Sequence, residues 1–288
     1  MRAEAASGVV HEVTFRWPSG EVDEDLAELA TRVRALQGAD AFEAVGVAMP
    51  ATLDEAGRVV AWPGRPSWVG LDLARWLRVQ FPGIEARCAD DGDLAAVAEA
   101  HEARCANLVY FGVGTGIGGG AVVGGRPCPG FDRGSCEIGH LVVDASGPQC
   151  DCGRRGCVQA IAAGPATLRR AASARGRPVS FSELARGYPA GEPWAVTSIE
   201  ESCTALAVAV VNLGELLHPE RVLIGGGFGA GIPGFAATVG RFVAELSRPG
   251  RSAPPVGRAV LGGRSSLRGA MLLAQPGTLA SSARAASR

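Results

Sequence analysis

The chain has 288 residues, 47% of them hydrophobic, and a formal net charge of −1. That length and apolar content suit a globular protein large enough for two lobes. The near-neutral balance gives no electrostatic case for a nucleic-acid or membrane partner, and the sequence shows no signal peptide and no apolar run read as long enough to span a bilayer.

Residues 22–38 place Leu26, Leu29, Val33 and Leu36 at helical spacing, with acids early and arginines late, which predicts an amphipathic helix. Residues 44–49 read as a short buried strand that Pro50 ends. Asp54 to Gly57 form a turn before a strand over 59–62. Trp68, Leu71, Leu73, Trp76 and Leu77 predict one helix packed on its apolar face. Trp62, Trp68 and Trp76 could stack on a sugar, but core packing is the favoured reading. Residues 85–88 read as a strand leading into the acidic turn Asp90-Asp91-Gly92-Asp93, where Asp93 is expected to cap a helix over 94–100.

The apolar run Leu108–Phe111, the glycine loop Gly112–Gly120 and Ala121–Val123 read as strand, turn, strand. This is neither the strand-to-helix turn of a dinucleotide fingerprint nor a P-loop, whose Gly-Lys-Ser/Thr ending is missing. Bare backbone amides in such a turn can form an anion nest. Glycine-rich hairpins also occur as plain turns, so the loop alone decides nothing.

Glu137-Ile138-Gly139-His140 follows, and then the tight cluster Cys150, Cys152 and Cys157. With His140 these make a closed Cys3His set suited to tetrahedral structural zinc, with no position left for a reactive water. Gly153 and Gly156 sit where a knuckle must turn. The alternative is four unrelated residues, two of them in a disulfide. Cys150 and Cys152 are too close in sequence to be ordinary disulfide partners. A zinc-ribbon nucleic-acid module would need a basic stripe or interleaved aromatics, and neither surrounds the cluster. Cys88, Cys105, Cys128, Cys136 and Cys203 are scattered, and read as buried or free thiols of a cytoplasmic chain. Residues 165–198 suggest a helix, a loop and the start of a long helix, whose apolar run is 199–217. A strand over 222–224 leads to Gly225-Gly226-Gly227, and residues 275–288 are expected to fray.

The order GTGIGGG, ExGH and then CxCGxxGC resembles the ROK family of sugar kinases and sugar-responsive repressors, within the actin-like ATPase superfamily. Val45–Pro50 is similar to the family's GxGxP strand end, and Cys88–Asp93 aligns with its NDAN segment. Val222–Gly227 is similar to its nucleotide-proximal glycine loop and Leu267–Ala274 to its closing helix. The likeness covers nearly the whole chain.

The resemblance implies an α/β fold, the two-lobed actin-like ATPase (ribonuclease-H-like) architecture with a small structural zinc knuckle. The N-terminal lobe would be residues 1–104, completed by a C-terminal helix over 267–288, and the C-terminal lobe residues 105–266. It further implies an ATP-dependent kinase, using Mg2+ with ATP, that phosphorylates a hydroxyl of a sugar or sugar-like polyol. Asp91 would be the general base. Asp90, Glu137, His140 and Gln159 would contact the sugar, with His140 holding zinc through its other ring nitrogen. Gly114, Thr115, Gly116, Gly118, Gly225, Gly226 and Gly227 would border the nucleotide. A homodimer is expected.

Three departures matter. The family's opening DxGGT hairpin, which holds Mg2+ and phosphate, is absent from residues 1–40. Either the given chain begins too late or the loop is lost, and the second case would leave a non-catalytic sugar-binding homologue or regulator. Asp90 and Gln159 stand where the family has Asn and Glu, and Gly64–Trp68 replaces an Asn-Leu-x-Trp stretch common in glucokinases. A site altered in this way argues against plain glucose and toward a C7-cyclitol or a modified hexose. A DNA-binding repressor would need an added helix-turn-helix, which the sequence ahead of the first lobe is too short to hold.

Overall fold

The computed structural model describes residues 1–5, 9–18, 20–37, 42–250 and 252–275. An antiparallel hairpin of β1 (Arg2–Glu4) and β2 (Val10–Glu12) precedes the expected amphipathic helix α1 (Val22–Gln37). The acids of α1 lie in its first turn and Arg34 in its last, which suits the helix dipole. β3 (Val45–Met49), β4 (Thr52–Leu53), β5 (Val59–Ala61), α2 (Leu73–Gln80) and β6 (Ala86–Asp90) follow, with β3 and β6 paired in parallel.

The single helix expected around residues 68–77 is two pieces. A 3-10 turn spans Pro66–Trp68, and α2 starts afresh where the Asp72 side chain accepts from the Arg75 amide at 2.9 Å. The tryptophans belong to the core, as favoured. Trp68 is 1% exposed and meets Trp17 and Trp62 edge-on, with ring centroids 5.7 and 4.9 Å away. Its indole donates to the buried Asp25 at 2.8 Å, and Asp25 also pairs with Arg65.

α3 (Asp91–Ala103) joins this part to a five-stranded sheet. Along the chain come β7 (Leu108–Val113), β8 (Ile117–Val123), β9 (Arg126–Cys128), α4 (Val158–Ala162), α5 (Gly164–Arg175), α6 (Phe181–Gly187) and α7 (Pro193–Leu217). β10 (Arg221–Gly225), α8 (Gly227–Gly231), α9 (Phe235–Leu246), β11 (Val256–Arg258) and α10 (Ser265–Ala274) complete it. The strand order is β11-β10-β7-β8-β9, with β11, β10 and β7 parallel and β8 and β9 antiparallel. α10 lies against α3 and β3. Buried Glu99 of α3 fixes that arrangement by accepting from the Val260 and Leu261 amides and from Ser265 Oγ, at 3.0, 3.1 and 2.8 Å. The expected frayed tail and the end of the 267–288 helix lie outside the described residues.

One sequence expectation needs amending. α7, at 25 residues, is long and apolar enough to cross a membrane by length and composition. Its Ile199, Cys203, Leu206 and Val210 are instead fully buried in the main core, and α4, α5 and α9 pack on it. Among the described residues it is the core helix of the fold.

Candidate functional site

β6 and α3 meet at the acidic turn, and the turn sets the roles of its carboxylates. The cap of α3 is Asp90, not Asp93: Asp90 Oδ1 accepts from the amides of Gly92 at 2.9 Å and Asp93 at 3.1 Å. α3 therefore starts at Asp91, ahead of the expected 94. Asp93 is instead 3% exposed and turns toward the next segment, where its two oxygens lie 3.4 and 3.3 Å from the Cys136 amide. Asp91 is half-buried at the first position of the helix. Burial raises its pKa, against the backbone amides of Gly92 and of Asp91 itself that lower it.

The charges around this turn have one sign. Burial, then Asp91, raises the Asp90 carboxyl to about 6, with a smaller push from Glu137 and opposition from the two capping amides. Burial, then Asp90, raises Asp93 to about 7, with Glu137 and Asp91 adding to it against the Cys136 amide.

Cys136 leads directly into the segment that carries Glu137 and His140. Glu137 is exposed and accepts from Ser135 Oγ at 2.6 Å. The 3-10 turn Ile138–His140 then brings His140 to the knuckle. His140 Nδ1 is 3.6 Å from Cys150 Sγ, Cys152 Sγ is 3.7 Å from Cys157 Sγ, and the four ligand atoms all lie within 4.8 Å of one another. Tetrahedral zinc, with bonds of about 2.3 Å to sulfur, sets two sulfurs about 3.8 Å apart. The cluster is therefore compatible with a zinc site. Bridges between Val142 and Cys157 and between Gln149 and Arg155 hold the knuckle closed. Gly156 takes a φ of 68° there, and a Cβ on it would lie 1.5 Å from the Asp144 carbonyl oxygen.

Gln159, expected as a sugar contact, lies beside the glycine hairpin. Its Oε1 accepts from the Ile117 amide at 3.0 Å, so one end of the side chain is committed to the glycine hairpin. The hairpin itself is as read, with β7 and β8 joined through Gly114, Thr115 and Gly116. β10 runs parallel to β7 with Gly225 opposite Gly112, so the loop at 225–227 emerges at the same end of the sheet as the loop at 114–116. Gly226, with a φ of 78°, leaves so little room that a Cβ would lie 2.4 Å from the Val113 backbone. Gly118 and Gly227 are different: both are exposed, and a Cβ on either would meet nothing within 4 Å.

A cavity of about 420 Å³ runs along β6 and α2 to this turn and is lined there by Asp90, Asp93, Phe131 and Ser135. Asp91, Glu137, His140 and Gln159 do not line it, so it reaches the acidic turn from one side. Sequence reasoning missed Asp93, Ser135 and Tyr110 as parts of the site. Asp93 had a signal, because it too stands where the NDAN segment has Asn. Tyr110 had none. Its phenol, raised to about 12 by burial first and then by Glu99, with Asp91 contributing, sits where a Cβ on Gly225 would fall.

The sequence profile of the ROK family matches residues 4–276. A kanosamine kinase of Amycolatopsis mediterranei (strain S699) is 52% identical over 276 residues, covering 95% of this chain and 91% of that protein. An N-acetylmannosamine kinase of Vibrio vulnificus (strain CMCP6) is 33% identical over 206 residues, 70% of this chain and 69% of that protein. Among solved structures, a ROK hexokinase from Thermus thermophilus superposes with a TM-score of 0.80 at 32% identity, covering 92% of this chain and 89% of its own. Its α/β fold is that of the actin-like ATPases. The profile over residues 4–276 and the relatives that match most of the chain show that the chain belongs to the ROK family.

Proposed function

We propose that this carbohydrate kinase transfers the γ-phosphoryl group of ATP to a hydroxyl of an amino sugar, with Asp91 as general base. The observation that carries the acceptor class is the doubly acidified turn, Asp90 and Asp93, in a chain 52% identical to a kanosamine kinase. Kanosamine is an amino sugar, so the reading narrows the modified hexose expected from the sequence and sets the C7-cyclitol behind it.

Asp91 sits at the head of a helix that Asp90 caps and Glu99 anchors, which fixes its position before substrate arrives. In the transfer its carboxylate takes the proton of the attacking hydroxyl as the new O–P bond forms and ADP leaves in line. Glu137 and the free ring nitrogen of His140 would orient the sugar. The loops at 114–116 and 225–227, with Gly118, would cradle phosphate through backbone amides. Two observations support this. Both loops lie at one end of the sheet, and among the described residues neither packing nor backbone conformation accounts for glycine at Gly118 and Gly227. Close approach of a ligand does.

Mg2+ would come with ATP, bound largely by phosphate oxygens and water, and would offset charge on the transferring group. Zinc would be held by His140, Cys150, Cys152 and Cys157 as a structural ion that orients the His140 ring.

The test is ATP-dependent transfer to a panel of hexoses, amino sugars and cyclitols, run beside Asp91→Asn. Turnover on an amino sugar that the substitution abolishes is the expected result. Absence of turnover throughout, with sugar still raising Tm, would favour a sugar-binding homologue instead.

A further inference from the structure

We propose that Asp90 is the specificity-determining residue of this site, meeting the acceptor's ammonium group, with Asp93 behind it as the second carboxylate of a cation-selective end to the cavity. The proposal rests on the kinase reading above and adds a residue to it.

Three observations carry it. First, Asp90 and Asp93 line the same cavity, and Asp90 directly precedes the proposed base Asp91 in the chain. Second, neither carboxylate has a cationic partner among the described residues. Asp90 commits one oxygen to the helix cap, and Asp93, almost fully buried, meets only a backbone amide at the limit of hydrogen-bonding distance. Ionised carboxylates buried without a counter-ion are unfavourable, and a cationic ligand entering the cavity would relieve that cost. Third, the acceptor named for the 52% identical relative carries an amine.

The chemistry discriminates in both directions. An asparagine amide offers N–H groups to the oxygen of a neutral hydroxyl. A carboxylate offers none and can only accept, so a neutral hydroxyl meets it through its single O–H, without the opposite charge that an ammonium brings. An ammonium group brings a full opposite charge and up to three N–H donors to the carboxylate, so it gains Coulomb attraction that a hydroxyl lacks. The groups that face Asp90 and Asp93 from neighbouring elements, Asp91 on α3 and Glu137 after Cys136, are acidic as well and strengthen the preference.

The experiment measures kcat/KM of the full chain and of Asp90→Asn with kanosamine and with glucose. Asn is as good a helix cap as Asp, so α3 should survive the change, and an unchanged Tm checks this. The expected result is a crossing: kcat/KM for kanosamine falls by roughly 10- to 100-fold, within the range that one buried polar contact supplies, while that for glucose rises. Asp93→Asn should shift the ratio in the same sense. A parallel loss on both acceptors, or an unchanged ratio, would overturn the proposal. If the unsubstituted chain turned over neither acceptor, the kinase reading itself would fail. Equal turnover of both would remove only the role given to Asp90.

Discussion

Gln159 Oε1 accepts from the Ile117 amide at 3.0 Å, and that bond ties the first turn of α4, just beyond the cysteine knuckle, to the start of β8. A Cβ on Gly116 would lie 2.8 Å from the same oxygen, so the glycine loop closes directly over this side chain. The knuckle and the proposed phosphate loop are one mechanical unit. Gln159→Glu keeps an acceptor for Ile117 and should retain most activity. Gln159→Leu leaves the amide unsatisfied, at about 1–3 kcal/mol, and should raise KM for ATP more than KM for sugar. Steady-state kinetics with each substrate varied in turn checks this, and an effect confined to the sugar would contradict it.

Asp91→Asn should lower kcat by about 10²- to 10⁴-fold, the usual contribution of a general base, while sugar binding by calorimetry persists. Burial raises the Asp91 pKa above the ordinary carboxylate value. Only the ionised form accepts a proton, so kcat should fall as pH drops through this raised value and plateau above it. A flat acid limb would exclude Asp91 as the base.

Gly118→Ala and Gly227→Ala should leave Tm unchanged, because among the described residues the added methyl meets nothing within 4 Å. If ATP phosphates approach these backbones, each change should raise KM for ATP about tenfold, or roughly 1.4 kcal/mol. Gly226→Ala is the contrasting control. Its Cβ has no room beside Val113, so that variant should lose stability as well as activity. Thermal melts beside ATP titrations separate the two classes.

The sequence made some of this legible and hid the rest for physical reasons. Hydrophobic period located α1, and short apolar runs located β3 and the β7–β8 hairpin, whose strands are buried along most of their length. The knuckle was legible because metal ligands must be close in sequence or fold, and three of these are close in sequence. The cap of α3 was not. Asp90 and Asp93 are both good caps, and only the tertiary demand that Asp93 face Cys136 decides between them. α6 escaped notice inside a Gly- and Arg-rich stretch, although Ser180 and Glu183 form a full capping box at its start. The 3-10 turn before α2 was hidden because Trp68 serves the core from a non-helical backbone.

The knuckle predicts a metal dependence that activity alone would not reveal. Cys152 is the exposed ligand, and the Arg154 backbone amide lowers its thiol pKa, which favours the thiolate that a metal needs. Metal analysis should find one zinc per chain. A strong chelator or Cys157→Ser should remove it and lower Tm, and sugar affinity should fall with it because His140 loses its anchor. Zinc loss with unchanged sugar affinity would separate His140 from the acceptor site.

The last prediction concerns stability far from the chemistry. Asp25 is fully buried, accepts from the Trp68 indole and pairs with Arg65, whose guanidinium also lies 4.7 Å from the Trp17 ring centroid. Among the described residues Asp25 Oδ1 has no hydrogen-bond partner, so the carboxylate relies on Arg65 and Trp68 for compensation. Removing one member of a buried ion pair costs about 3–5 kcal/mol, because the other charge is left behind. Arg65→Ala should fall near the lower end of that range, since the indole still donates. Asp25→Asn in the same background should recover part of the loss by removing the stranded charge. Urea melts with a lowered midpoint, an unchanged slope and partial rescue in the double variant would bear this out. Additive losses would mean that packing on Trp17, and not the charge, is what Arg65 supplies.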